Sequence, residues 1–412
     1  MNITVFGSMG MLNVGDEAYI EASINEIRTA VPDTTFSFIS FDPENSRTTH
    51  QIKEACFLPR MNKKLFTKPK WLRRIIITSH IFQYLLILVF GTAFFCPSQE
   101  VRDLIKLIKK SNIVAAFGGG LLNDNYTGSA IVYLLIMQLA QRFGKKTVFM
   151  AQSIGPINNP LNIWLSSKIL KKVNLITIRK ELSREFLSNI GIPKENVSLT
   201  VCPAFLLPPS LNTNNIYSKW NINTNTPLIG LAIREWVYPN ESDPSKANND
   251  FINMITVIVD KISADLDATI IIIPTILSDI NLGEKVLSRS TNQSRVKVIG
   301  SLNTLHEVVG ICGQLNLLIT TNFHPLVFAT SQGVPSITLA LTGHKTTRFA
   351  KSAGLSEFII DEQHMNAKSI IHTTHLLWKN INQTRSKLQK EIPKLKTLAS
   401  DSINRLTQEI LT

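Results

Sequence analysis

The sequence predicts an α/β protein of two similar halves facing one cleft, with parallel strands in each half. Short apolar runs alternate with helix-length amphipathic ones along the chain. Several apolar runs end in glycine-rich or polar turns, as strands of open parallel sheets do where they meet ligands. The pattern is interrupted at 209–226, a stretch poor in aliphatics and rich in Asn, Thr and Pro that reads as a surface linker.

The runs at 3–6, 36–40, 113–117, 147–151, 175–178 and 198–201 read as strands of a first Rossmann-like domain, residues 1–208. After the linker, runs at 228–233, 269–273, 296–299, 315–320 and 336–341 read as strands of a second, 227–380. Helices are expected there near 249–266, 304–311, 326–331 and 367–378. Residues 381–412, rich in Lys, Glu, Leu and Gln, suit a long amphipathic helix packing back on the first domain.

With 412 residues, 44% of them hydrophobic and 18% charged, the chain has the composition of a globular protein of roughly two or three domains. Lys and Arg number 43 against 30 Asp and Glu, a formal charge of +13 that favours polyanions, anionic lipid or phosphorylated substrates. Nucleic acid is not expected, since no aromatic-basic stripe, zinc spacing or recognition-helix pattern accompanies the charge. Cys56, Cys96, Cys202 and Cys312 lie far apart, so neither a CxxC metal or redox site nor a disulfide scaffold is expected. The opening residues lack a basic n-region and break their apolar run at once with glycines and Asp16-Glu17, which predicts a cytoplasmic protein.

One segment departs from the regular pattern. Residues 75–95 carry no Asp, Glu, Lys or Arg and follow the basic stretch Lys63, Lys64, Lys68, Lys70, Arg73, Arg74. Their length approaches a membrane span, but His80 and Gln83 lie inside it, Gly91 weakens its helix, and globular sequence flanks it on both sides. Two readings stay open: a buried helix, or a helix on the membrane surface with its basic flank on anionic headgroups of the inner leaflet. The net charge tilts the expectation toward the membrane surface.

Candidate chemistry gathers at strand ends. The loop 7–17, GSMGMLNVGDE, follows a strand and leads into a helix, so Asn13, Gly15 and its neighbours let backbone NH groups approach an anion or a sugar. It is neither a Walker nor a dinucleotide motif. Asp16 reads either as a helix N-cap or, with Glu17, as a general base toward a hydroxyl. Gly118, Gly119 and Gly120, followed by Asn123 and Asp124, form a second permissive turn. In the second half, Arg234 closes the strand LIGLAIR and offers a fixed cationic fork. His324, just past the strand 315–320, is placed to move a proton near neutral pH. Lys345 and Arg348, after the next strand, either add positive charge to that rim or are solvated loop residues.

The segments GSMGMLNVGDEA, FGGGLLND, AQSIGPI, LITIRKELSREFLSNIGI, VCPAFLL and TTNFHPLVFATSQGVPSI follow one another from about residue 5 to residue 355. In this combination the chain resembles the polysaccharide pyruvyl transferase family. The resemblance implies a two-domain GT-B-like fold. It also implies transfer of pyruvate from phosphoenolpyruvate onto two sugar hydroxyls to form a ketal, with no metal or cofactor and a sugar or lipid-linked glycan as acceptor. It makes His324 the acid, gives Arg234 and Lys345 to the donor, and turns Asp16 and Glu17 toward the acceptor. Members of the family typically carry arginine or a comparable residue two positions before the histidine, where this chain has Asn322, and an aspartate where it has Cys202. Asn322 supplies no charge to the donor, so Lys345, Arg348 or Arg179 must compensate. Two other readings are a GT-B glycosyltransferase using a nucleotide sugar and a non-catalytic, membrane-associated partner in glycan assembly. A second copy of the chain is a further expected partner.

Overall fold

The computed structural model describes residues 1–11, 13–58, 68–92, 94, 96–124, 127–208, 214–234, 243–299, 305–341 and 344–411. The chain forms two compact units. One comprises Met1–Leu12, Asp16–Pro203 and Leu398–Thr412; the other comprises Asn13–Gly15 and Ala204–Thr397.

Up to residue 203 the elements are β1 (Asn2–Gly7), α1 (Val14–Ala30), β2 (Thr35–Ser40), α2 (Pro43–His50), β3 (Glu54–Phe57), α3 (Lys70–Phe90), α4 (Gln99–Lys110), β4 (Ile113–Phe117), α5 (Thr127–Arg142), β5 (Lys146–Gln152), α6 (Pro160–Leu170), β6 (Leu175–Ile178), α7 (Glu181–Asn189) and β7 (Val197–Leu199). The strands pair in parallel in the order β3-β2-β1-β4-β5-β6-β7. β4 is buried at every residue, as expected for a strand covered on both faces. α4 shows how the cover forms. Ser98 caps it by accepting from the Val101 N–H, and Val101, Leu104, Ile105, Leu107 and Ile108 turn one stripe into the core.

The remaining elements are α8 (Asn214–Lys219), β8 (Leu228–Ala232), α9 (Pro244–Asp265), β9 (Thr269–Ile272), α10 (Leu277–Arg289), β10 (Val296–Val298), α11 (Leu305–Gln314), β11 (Leu317–Thr320), α12 (Phe323–Ser331), β12 (Ser336–Ala340), α13 (His344–Ser352), β13 (Ile359–Asp361), α14 (Ala367–Lys379) and α15 (Ile381–Leu411). Their sheet is also parallel, in the order β10-β9-β8-β11-β12-β13. Counted from its own first strand, the second sheet runs 3-2-1-4-5-6, the doubly wound order of Rossmann-like folds, and the first runs in the same order with a seventh strand added at the end. The direction of winding reverses between β1 and β4 in one sheet and between β8 and β11 in the other. Ligands of such sheets bind beyond the strand carboxyl ends at these reversals.

Two features differ from the sequence reading. The linker 209–226 carries α8, and Ile222 is buried there with its N–H on the Tyr217 carbonyl, so an apolar anchor ties a polar stretch to the second unit; residues 209–213 lie outside those described. The apolar segment 75–95 is α3, which starts earlier and is stopped by Gly91 in the left-handed conformation, with Phe95 outside the described residues. It is not a wholly buried helix, because Phe82, Leu85 and Val89 are exposed. All four cysteines are buried free thiols, and burial pushes the Cys312 thiol up to about 12.

Candidate active site

In the second unit the reversal between β8 and β11 carries a closed hydrogen-bond ring. Arg234 follows β8, Thr321 and Asn322 follow β11, and Thr275 follows β9. The Arg234 N–H donates to Thr321 Oγ1 at 3.0 Å, and that hydroxyl donates to Asn322 Oδ1 at 3.2 Å. Asn322 Nδ2 and Arg234 Nη2 both donate to Thr275 Oγ1, at 3.2 and 3.0 Å. Thr275 Oγ1 in turn donates to Asp279 Oδ2 at 2.8 Å.

Asp279 anchors the ring. Its Oδ2 also accepts the N–H groups of Thr275 at 2.9 Å and Ile276 at 3.2 Å, capping the start of α10, and Oδ1 lies 3.6 Å from Arg234 Nε. The carboxylate is 1% exposed and the Arg234 side chain 45% exposed, so the cation is fixed at its base yet open to a ligand. Asp279→Ala is expected to destabilise this unit by about 2–4 kcal/mol, mostly by orphaning the buried Thr275 and Ile276 donors, since the half-exposed arginine is screened by water. Denaturant unfolding of that variant beside Asp279→Asn, which still accepts, checks the figure.

His324 is the second residue of α12, half-buried at the carboxyl end of β11. Its ring meets Phe323 edge-on at 5.1 Å between centroids and lies along Phe328 at 6.3 Å. Phe323 packs on Phe349 at 5.7 Å, which ties α12 to α13, the helix bearing Lys345 and Arg348. Residues Asn13–Gly15, which belong to this unit, lie on the same edge: the Val14 N–H reaches the Thr275 carbonyl at 3.3 Å. A Cβ on Gly15 would stand 1.8 Å from His324 Nδ1, so only glycine leaves the imidazole its place. Asn13, not Asp16, caps α1, accepting from the Gly15 N–H at 3.0 Å.

The first unit has its own glycine-lined edge at the reversal between β1 and β4. Gly7 ends β1 opposite Phe117, and a Cβ there would strike the Phe117 carbonyl oxygen at 1.8 Å. Gly118 takes φ +113 against Ser8. Arg179, at the end of β6, donates from Nη2 to the Gly119 carbonyl at 2.6 Å, where a side chain on Gly119 would collide with it. Asn123 donates to the Gly120 carbonyl at 2.8 Å. Asp124 holds the turn that leads into α6, whose N-cap is Asn159; the Asn158 N–H, helped by Asn159 and Asn162, holds its carboxyl below the usual range.

Glu17 and Asp16 part company here. Glu17 is 8% exposed, with Oε1 accepting the Gly10 N–H at 2.9 Å and Oε2 on His50 Nε2 at 2.5 Å. One oxygen thus holds the glycine loop and the other holds the end of α2, which fixes the carboxylate in place. Asp16, in the first turn of α1, is only partly buried.

The structure thus brings Arg234, Asn322 and His324 to one sheet edge with Gly15, and Gly118, Gly119, Gly120 and Asn123 to another with Arg179. Asn322 is 7% exposed with its amide used on both sides, so it steadies the arginine instead of meeting a donor. Sequence reasoning missed Thr275, Asp279, Thr321 and His50. A signal for two of them existed in IIIIPTILSD, where a strand-like run is followed by a threonine and an aspartate spaced to cap a helix.

Residues 13–342 match the family described as polysaccharide pyruvyl transferase. The amylovoran biosynthesis protein AmsJ of Erwinia amylovora is 22% identical over 436 aligned positions, covering 100% of this chain and 99% of that one. Among solved structures, the UDP-GlcNAc 2-epimerase of Neisseria meningitidis superposes with a TM-score of 0.61 at 13% identity, covering 100% of both chains. Anabaena HepE, solved with UDP-glucose, gives 0.59 at 11% identity over 100% of this chain and 99% of its own. These two likenesses establish the GT-B-like pairing of Rossmann-like folds and nothing about ligands. With four-fifths of its length matched by the family, from the loop at Asn13 past the His324 helix, this chain belongs to the polysaccharide pyruvyl transferases.

Proposed function

We propose that the chain transfers pyruvate from phosphoenolpyruvate to two hydroxyls of a sugar, forming a ketal during surface-polysaccharide synthesis. The observation that carries the reading is the pairing of a rigidly based, half-exposed Arg234 with His324 at the reversal of one parallel sheet. An enol phosphate ester with a carboxylate needs cationic recognition, and its methylene carbon needs an acid.

The reaction balances as follows. His324 gives a proton to the methylene carbon, which becomes the methyl group, and the adjacent carbon takes the positive charge. A sugar hydroxyl oxygen attacks that carbon and gives up its proton. The carbon–oxygen bond to phosphate breaks, and a second hydroxyl closes the ketal. Of the two hydroxyl protons, one ends on the methyl group and the other leaves with phosphate, so no oxidant is required. Arg234 holds the donor's anionic groups, with Lys345 and Arg348 adding positive charge from α13. The acceptor is a lipid-linked or nucleotide-linked sugar on the cytoplasmic side.

Carbon-labelled phosphoenolpyruvate, incubated with the protein and membranes of a strain lacking it, should leave label in extractable glycan that mild acid returns as pyruvate. Absence of label there, with transfer from a labelled nucleotide sugar instead, would replace this reading with glycosyl transfer.

A further inference from the structure

α3 buries His80 and Gln83 with Tyr84 and Ile87, while Thr78 and Ser79 are exposed. The two buried polar residues face the protein: His80 Nε2 meets Ser98 Oγ at 3.1 Å, and Gln83 accepts the Ser98 N–H at 3.2 Å while donating to Ser79 Oγ at 3.1 Å. These contacts fasten α3 to the N-cap of α4. Burial holds the His80 imidazole below its usual value, with Glu100 opposing, so the neutral ring is the stable occupant.

The opposite face is apolar and exposed. Trp71, Ile75, Phe82, Leu85 and Val89 recur at helical spacing, with Phe90 and Phe94 beyond, and Trp71, Phe82 and Val89 are 64%, 60% and 70% exposed. α6, which also packs on α5, exposes Leu161 and Trp164, with the Lys168 ammonium 4.9 Å from the indole centroid. Charge is as one-sided as polarity. Between Glu54 and Glu100 the chain has no acidic residue and seven basic ones, Arg60, Lys63, Lys64, Lys68, Lys70, Arg73 and Arg74. Lys68, Lys70 and Arg74 are exposed at the start of the helix.

We propose that the outer face of α3 is a docking surface for an anionic phospholipid bilayer, with the helix lying in the interface and its basic start on the headgroups. A single crossing is incompatible with the fold, because β3 before the helix and β4 after it are strands of one sheet. A second copy fits less well: two-fold pairing would set the same basic cluster near itself with no acidic residue between 55 and 99 to match it. Anionic lipid supplies what both halves of the surface lack, an apolar phase and negative charge. The inference is independent of the donor chemistry.

Sedimentation with vesicles tests it, comparing phosphatidylcholine alone with a mixture containing phosphatidylglycerol. The full chain should bind the anionic vesicles at least about tenfold more tightly, and added salt should weaken the binding. Phe82→Asp with Leu85→Asp should lose about tenfold or more of that affinity, and Lys68→Gln, Lys70→Gln and Arg74→Gln together should remove the preference for anionic lipid. These side chains are exposed, so unfolding curves should match the unaltered protein. Failure to bind anionic vesicles, or equal binding by the aspartate variant, overturns the proposal. So does a dimer, seen by sedimentation velocity, that the aspartate variant dissolves while vesicle binding persists.

Discussion

Alanine at His324 is expected to lower the turnover of pyruvyl transfer by about 10²–10⁴-fold, the usual range for loss of a positioned general acid. Donor affinity should change little, because the anionic groups are assigned to Arg234. The imidazole is placed by more than its own helix: Phe323 and Phe328 border the ring, and the missing side chain of Gly15 leaves room for it. Steady-state phosphate release, resolved into kcat and KM, separates the roles. A fall in kcat at nearly constant KM is the acid's signature. Near-normal kcat in His324→Ala would remove this residue from the chemistry.

Arg234→Ala should weaken phosphoenolpyruvate binding by about 10–100-fold. A hydrogen bond to a charged partner is worth about 1.5–3 kcal/mol, and each 1.4 kcal/mol is a factor of ten. The effect should exceed loss of a surface cation because the guanidinium is held at Nη2 by Thr275 and at Nε by Asp279. Lysine at this position restores charge but not the fork, so Arg234→Lys should recover only part of the affinity.

The fold was largely legible because parallel strands buried on both faces write themselves as apolar runs, and β1, β4 and β8 are such strands. The edge strands β3 and β13, of four and three residues, were not legible, since they are too short and too partly buried to show a period. α2 was missed for a related reason: PENSRTTH has no apolar stripe, and its start rests on Asp42 and Pro43.

At the site, Arg234 and His324 were visible because they follow strand-like apolar runs. Glu17 and Asp16 are adjacent in sequence and differ in burial, so the helix turn that sends Glu17 inward to His50 had to be seen. Asn322 read as a lost charge, and its part in the ring depends on Thr275, forty-seven positions away. α3 read as apolar throughout, whereas which side of it faces water is a fact of packing against Ser98.

The most direct test of the claim that the Arg234–His324 edge holds an enol phosphate is calorimetric titration of the folded protein with phosphoenolpyruvate, with Arg234→Ala alongside. Saturable binding that weakens by about 10–100-fold in the variant is the predicted result. Equal binding by both proteins, or no binding to a folded protein that takes up a nucleotide sugar instead, would contradict it.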